Sequence, residues 1–461
     1  GTKDVFVTLP ASKTILLNDS GTVDINGNLD VDGGTIKLDG NYPTGTGNVA
    51  LGDTALDSVE AGAIYNVAIG NAAGTAITTG DCNVAIGRNS LKSTTTSSGN
   101  VAIGMTAMCN NITGAQSVAI GNEALFKNES GNCNVAIGFQ SLKCNTVGNI
   151  TAVGSCALFT NSTGTGNTAV GYFANKLNTT GTDNTSVGRE ALEANTTASG
   201  NTAVGYQSLT LNTTGGSNTA LGQLAMCAST EGEANTAVGR LALAKNTTAD
   251  NNTAVGAQSL RCVTTNGDNT AVGTLALNKS TASNSTAVGA CALRCNTTGT
   301  DNTAMGACAL NLNSSGAYNS AFGYRSLDSS TSASSNTAVG FHSMCKTTTG
   351  ANNTAVGFCS LQANTTGASN VAVGYNSMLT NTEGANNVAM GVLALEMNTT
   401  GDGNTAIGRE ALEANQTADN NTAVGLKALE ANTTGAQSVA VGVEALKTQT
   451  TGNNNSAFGF C

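Results

Sequence analysis

Asn201-Thr-Ala-Val-Gly-Tyr-Gln-Ser-Leu-Thr-Leu-Asn-Thr-Thr-Gly-Gly-Ser217 is one copy of a unit that fills nearly the whole chain. Aligned on its first five residues, 25 copies begin at Asn48, Asn66, Asn83, Asn100, Ser117 and Asn134 and run to Asn421, Ser438 and Asn455. Successive copies start at a 17-residue spacing, as Asn201, Asn218 and Asn235 do. One early interval is a residue longer, and the two that follow the copies at Asn134 and Asn269 are a residue shorter. With Asn201 as position 1, position 5 is Gly in all 25 copies and position 3 is Ala in every copy except Ser186. Position 4 is always bulky and apolar, and position 9 is Leu or Met except at Gly74 and Asn175. Positions 12 to 15 favour Asn-Thr-Thr-Gly, as at Asn178, Asn212 and Asn432, which is turn chemistry. Each copy reads as a short strand, a compact apolar segment and a turn.

Side chains alternate along a strand, so positions 2 and 4 share one face and positions 1, 3 and 5 the other. The odd face is small. Ala and Gly there let another backbone approach closely, and Gly supplies a positive φ for the bend that follows. Positions 6 to 11 are compatible with a second strand or with one helical turn, since six residues are too few for periodicity to decide. A 17-residue unit cannot bury its own apolar face, so the copies must stack as rungs. The expected class is all-β: a parallel β-solenoid or β-roll of about 25 rungs, roughly 120 Å long, with positions 4 and 9 forming the rung cores. Two apolar anchors per rung set against seventeen ordered backbones leave a lone solenoid marginal, which points to copies packing their small-residue faces together as a homotrimer.

The composition agrees with a repetitive rod: 461 residues with 57 Gly, 2 Pro, no Trp, one His and 10% charged residues. A net charge of -10 argues against tracking phosphate backbones, so nucleic acid is not an expected partner. No stretch approaches the length of a membrane span, and the start lacks the basic-then-apolar order of a signal peptide. The chain opens at Gly1 and stops at Cys461 inside a repeat, as a processed product or a portion of a longer polypeptide would. Residues 1–47 alternate at Thr22–Asn26 and Asn28–Asp32 between glycines and are read as a β cap that starts the rod, with 48–461 as the rod itself.

The strings Asn66-Val-Ala-Ile-Gly-Asn-Ala-Ala-Gly74, Asn83-Val-Ala-Ile-Gly87 and Ser117-Val-Ala-Ile-Gly121 resemble the head repeat of trimeric autotransporter adhesins, whose members form trimeric parallel β-rolls. Those heads use a shorter repeat and lack the inserted Leu-x-x-Asn-Thr-Thr-Gly section. The longer repeat, joined to Gly27-Asn-Leu-Asp-Val-Asp-Gly-Gly-Thr-Ile-Lys-Leu-Asp-Gly-Asn-Tyr-Pro43, resembles fibres and virion structural proteins of tailed phages, marine cyanophages above all. That resemblance implies an elongated homotrimeric appendage on the virion surface. It would attach to other virion proteins at its base and space or present a tip that recognises a host glycan or receptor. The alternative it implies is a bacterial trimeric surface adhesin that binds ligand along its shaft.

Catalytic, cofactor and metal residues are not expected, because catalysis needs unlike polar groups converging in a pocket and this chain has a single histidine. His342 falls at position 7, which elsewhere holds Gln, Glu, Leu, Cys and Lys, and reads as a variable exposed site. Asp30-Val-Asp-Gly-Gly34 lacks the further carboxylates of a calcium loop and reads as a solvated strand or turn. The 13 cysteines fall at position 7 (Cys156, Cys291, Cys308, Cys359, Cys461), 10 (Cys109, Cys227, Cys345), 11 (Cys144, Cys262, Cys295) and 17 (Cys82, Cys133). They have no C-x-x-C spacing and read as free thiols. Asn-x-Ser/Thr sites at Asn178, Asn195, Asn212, Asn246, Asn296, Asn364, Asn398 and Asn432 read as turn-forming ladders rather than glycan acceptors. Ice binding through stacked Thr-Thr rows is disfavoured by charges such as Glu129, Glu383 and Lys346 in or beside the turns. Met108-Cys109, Met226-Cys227 and Met344-Cys345 recur at a 118-residue spacing, one short of seven units, the mark of a duplicated block.

Overall fold

The computed structural model describes residues 45–460, and the expected cap at 1–47 lies almost wholly outside the described residues. Every copy contributes one three-residue strand at positions 2 to 4, from β1 (Val49–Leu51) to β25 (Ser456–Phe458). Each strand pairs in parallel with the next at identical repeat positions. Ala203 of β10 (Thr202–Val204), for example, sits opposite Ala220 of β11 (Thr219–Leu221). The result is a parallel β-solenoid of 25 strands with no helix among the described residues. At about 4.8 Å per step the 24 steps make a rod of about 115 Å.

Positions 6 to 11 are neither a strand nor a helical turn. They form two back-to-back turns: Ser208 N–H donates to Gly205 C=O at 3.4 Å, and Asn212 N–H donates to Leu209 C=O at 3.2 Å. Between them the backbone alternates hands, with Gln207 at φ 52° and Leu209 at φ 49°. This alternation points successive N–H groups at opposite neighbours. Gln207 N–H reaches back to Arg189 C=O at 3.0 Å, while Leu209 N–H reaches forward to Ala225 C=O at 3.0 Å. The rungs are therefore bonded all round their circumference, and this bonding holds a leucine or methionine at positive φ in nearly every copy.

The interior corrects one expectation. Position 9 is core, but position 4 is not. Ala at position 3 and Ala or Ser at position 8 are buried beside Leu209, Leu243 and their equivalents, whereas Leu221 is 46% exposed and Val272 36%. A three-residue strand can send only its middle side chain inward, and the bends on either side leave room there for a methyl group and little else. The small-residue face is thus the lining of each chain's own rod, and the expected packing of copies through it is ruled out. Gly at position 5 does mark a close approach, between rungs of one chain: a Cβ on Gly205 would stand 2.6 Å from Gly222 O.

Two columns of buried asparagine complete the core. Asn178 Nδ2 donates to Asn161 Oδ1 at 2.7 Å and to Gly181 O at 3.0 Å, and its own Oδ1 accepts from Asn195 Nδ2 at 2.9 Å. The position-1 column works the same way, with Asn184 N–H on Asn167 Oδ1 at 3.0 Å and Asn201 Nδ2 on Gly215 O at 3.0 Å. Residue gains and losses leave the bond from position 1 to the turn carbonyl in place. Asn48 Nδ2 reaches Ala63 O in the long copy, while Asn134 and Asn269 reach Val147 O and Ala282 O in the two short ones. All three length changes are absorbed between positions 12 and 15.

The exceptions at position 9 are explained differently. Gly74 leaves space that Ile77 fills from position 12, its Cδ1 standing 3.0 Å from where a Cβ on Gly74 would lie. Asn175 has no such compensation: both its side-chain polar atoms are buried without a partner. The apolar core divides at this point, one part ending at Ala174 and the other starting at Ala191.

Candidate functional site

Three long faces run the length of the rod. The first carries positions 2 and 4 of every strand. The second carries positions 6, 7, 10 and 11, and the third the turn residues 13, 14, 16 and 17. The turn face is self-satisfied, since position-13 hydroxyls donate to the next rung, as Thr196 does to Thr213 O at 3.2 Å and Thr213 to Thr230 O at 3.0 Å. The eight glycan-type asparagines named above are fully buried within the ladder, which agrees with reading them as ladder residues.

The second face holds the ionic and aromatic clusters, because residues at positions 7 and 10 of neighbouring rungs come within reach of each other. Lys427 Nζ lies 2.6 Å from Glu410 Oε2 and 2.7 Å from Glu430 Oε1, and Lys447 lies 2.8 Å from Glu444. Hydrogen bonds from Lys427 and Arg409 hold the Glu410 carboxyl below its usual range, whereas burial pushes Glu396 and Glu413 up. One carboxylate oxygen from each of Glu410, Glu413 and Glu430 falls within 4.8 Å of the others. The Lys427 ammonium is bonded to two of those three carboxylates, so the group is an ion-pair network with its cation built in. Glu123, Lys143 and Gln140 make a smaller version, with Glu123 bonded to Lys143 at 2.8 Å and to Gln140 at 2.7 Å.

Position 6 supplies an unforeseen feature. Tyr324, Phe341, Phe358 and Tyr375 stack on four consecutive rungs, with centroids 5.4, 5.2 and 5.5 Å apart. They remain well exposed, from 43% for Phe341 to 50% for Tyr375. Their recurrence at one repeat position was legible in the sequence. His342, expected to be exposed, is half-buried instead: its ring stacks on Phe341 at 4.2 Å, and its Nε2 is buried without a partner. The Gln362 side-chain amide lies 3.5 Å from its Nδ1, and the thiol at the same position on the next rung, Cys359, is buried and raised by that burial, so the three do not make an activated nucleophile.

The 12 cysteines among the described residues are all free. Most are half-buried, Cys82 and Cys133 are exposed, and Cys359 is buried. Burial raises the thiols of Cys109, Cys227, Cys308, Cys345 and Cys359, so none of these five is an activated nucleophile. A concavity of about 400 Å³ lies at the last rung, lined by Glu444 to Thr448 and Ala457 to Phe460. Its only ionisable groups are Glu444 and Lys447, already paired with each other. The acidic string at 30–34 lies outside the described residues.

No protein-family model matches this chain, and comparison with curated proteins gave no match.

Proposed function

We propose that the chain is a structural component of an elongated viral fibre, a tail, neck or capsid appendage that spaces or presents a host-recognition tip. The observation that carries this reading is the unbroken register of 25 parallel strands over a constant interior. Such an object supplies length and stiffness, and among the described residues its variable outward positions bring no set of reacting groups together. In this reading the chain is not an enzyme and needs no cofactor. It assembles with copies of itself as a homotrimer and joins other virion proteins at its base. The net charge of -10 disfavours nucleic acid, and no helix among the described residues is long and apolar enough to cross a membrane.

The resemblance to tailed-phage fibres favours the virion surface as the rod's location. Immunogold labelling with antibody to the chain tests this: particles should be labelled on projecting filaments, and signal confined to bacterial envelopes would overturn it. The second reading, a bacterial surface adhesin that binds ligand along its shaft, is favoured by one feature, the exposed aromatic stack from Tyr324 to Tyr375. Envelope labelling together with loss of cell or glycan binding on Phe341→Ser and Phe358→Ser would select it.

A further inference from the structure

All 39 charged residues of the rod lie at positions 6, 7, 10, 11, 13, 14, 16 and 17. The 50 outward side chains at positions 2 and 4 include none. Position 4 is Val, Ile, Leu, Met or Phe throughout, and position 2 is Thr or Ser on 16 rungs and Val on 9. In this structure that face is open, with Ile69, Leu221, Met305, Phe322 and Met390 all exposed. An uncharged strip about 115 Å long and about 10 Å wide amounts to roughly 1,000 Å². A stable interface takes about 800 Å² from each partner.

We infer that a second copy of this chain covers the face of positions 2 and 4, rod alongside rod, and that this strip is the assembly interface of the fibre. The inference deepens the fibre reading and rests on it for the identity of the partner. The area is sufficient for a stable contact. The absence of charge removes the cost of burying it, and the in-register ladder gives each copy the same ridge and spacing along its length. The strands stay in register across the long copy and both short ones, so the contacting surface keeps its spacing through every change of length.

Sedimentation of the full chain tests the inference. The native chain is expected to run as a multiple of 45.6 kDa. The triple variant Val204→Lys, Val238→Lys, Val272→Lys should weaken association more than about a hundredfold, since each lysine is buried unpaired in the assembly. Thr214→Lys on the exposed turn face should leave it unchanged. Should the triple variant not fold, Thr236→Cys and Thr214→Cys keep the question open to a site-resolved maleimide assay. The thiol introduced by Thr236→Cys should be protected at high protein concentration and uncovered on dilution, and that introduced by Thr214→Cys should react equally fast at both. A native chain that is monomeric, or equal reactivity at the two sites, overturns the inference. A monomeric rod of about 115 Å in negative stain would do so while leaving the spacer reading to the virion-labelling experiment.

Discussion

Gly205→Ala tests the close approach and the glycine-only backbone of position 5 together, with Gly200→Asn as the control on an open left-handed backbone. Both glycines have left-handed backbones, φ 134° and φ 70°, but a Cβ on Gly200 meets nothing nearer than 3.8 Å. A Cβ on Gly205 would stand 2.6 Å from Gly222 O, 2.7 Å from Gly222 C and 3.2 Å from Gln223 N. These are backbone atoms that no rotamer change can move, so the two rungs must part locally. The bonds at stake are Thr202 N–H to Asn218 O at 2.8 Å, Gly222 N–H to Val204 O at 2.8 Å and Leu224 N–H to Tyr206 O at 3.0 Å. Two or three such bonds at about 1 kcal/mol each, with strain of about 1 to 3 kcal/mol, give a loss of about 3 to 6 kcal/mol. Gly200→Asn should cost under about 0.5 kcal/mol, because Asp183, Ser217 and Asn251 already occupy that repeat position at φ 56° to 59°. Hydrogen exchange read by mass spectrometry is the suitable assay, since a stacked array opens locally at a damaged contact. Protection should fall in peptides spanning residues 201–225 and hold at distant rungs. If Gly205→Ala lies within about 0.5 kcal/mol of the native chain, as an ordinary surface substitution would, the close-approach argument fails.

Asn175→Leu restores the leucine column where both polar atoms of Asn175 are buried without partners, and should stabilise the central rungs by about 1 to 2 kcal/mol in denaturant melts. No change there would mean that the side chain is satisfied by something other than the chain. Thiol titration of the native protein should show Cys82 and Cys133 reacting first and Cys359 last, because exposure and a burial-raised thiol act in the same direction. Comparable rates at all three would contradict the packing described. Glu413→Gln should stabilise the C-terminal rungs at neutral pH by a few tenths of a kcal/mol. The folded-state pKa of Glu413 is raised by burial and neighbouring carboxylates, so the native chain loses stability as pH rises from the ordinary carboxylate range through it. The advantage of Gln should vanish below the ordinary carboxylate range, and an advantage that instead grew on acidification would reverse the assignment.

The period, the parallel stacking, the turn at positions 12 to 15 and the close approach at Gly were all legible, because each depends on one residue type recurring at one place. The direction of the strand was not. Bulk at position 4 suggested core, yet the stronger signal was uniformity of size. Position 3 is Ala in every copy but one and position 8 is only Ala or Ser, whereas position 4 ranges from Val to Phe. An interior of fixed cross-section tolerates one volume, while an outward position tolerates many. The two-turn path of positions 6 to 11 could not be read, since it places leucine at positive φ against its intrinsic preference and is held there by bonds to neighbouring rungs. The aromatic stack was written in the sequence at the repeat interval, from Tyr324 through Phe341 and Phe358 to Tyr375, but whether those rings met or diverged depended on which face position 6 occupied.

The asparagine columns explain why this architecture suits a spacer. An Asn side chain such as Asn178 bonds the equivalent residues one rung away and the turn carbonyl, so its satisfaction depends on the next rung being alike, not on which rung it is; where Ser229, Val263 or Ser330 follows, the Oδ1 of Asn212, Asn246 or Asn313 is left without a partner. Length can then change by whole rungs at little energetic cost, and the 118-residue recurrence of Met-Cys is what such growth leaves behind. A catalytic pocket would require particular rungs to stay at fixed distances through every duplication. A rod that presents a tip requires only that the interior stay continuous, and the three copies of unusual length keep it so by absorbing the difference in the turns.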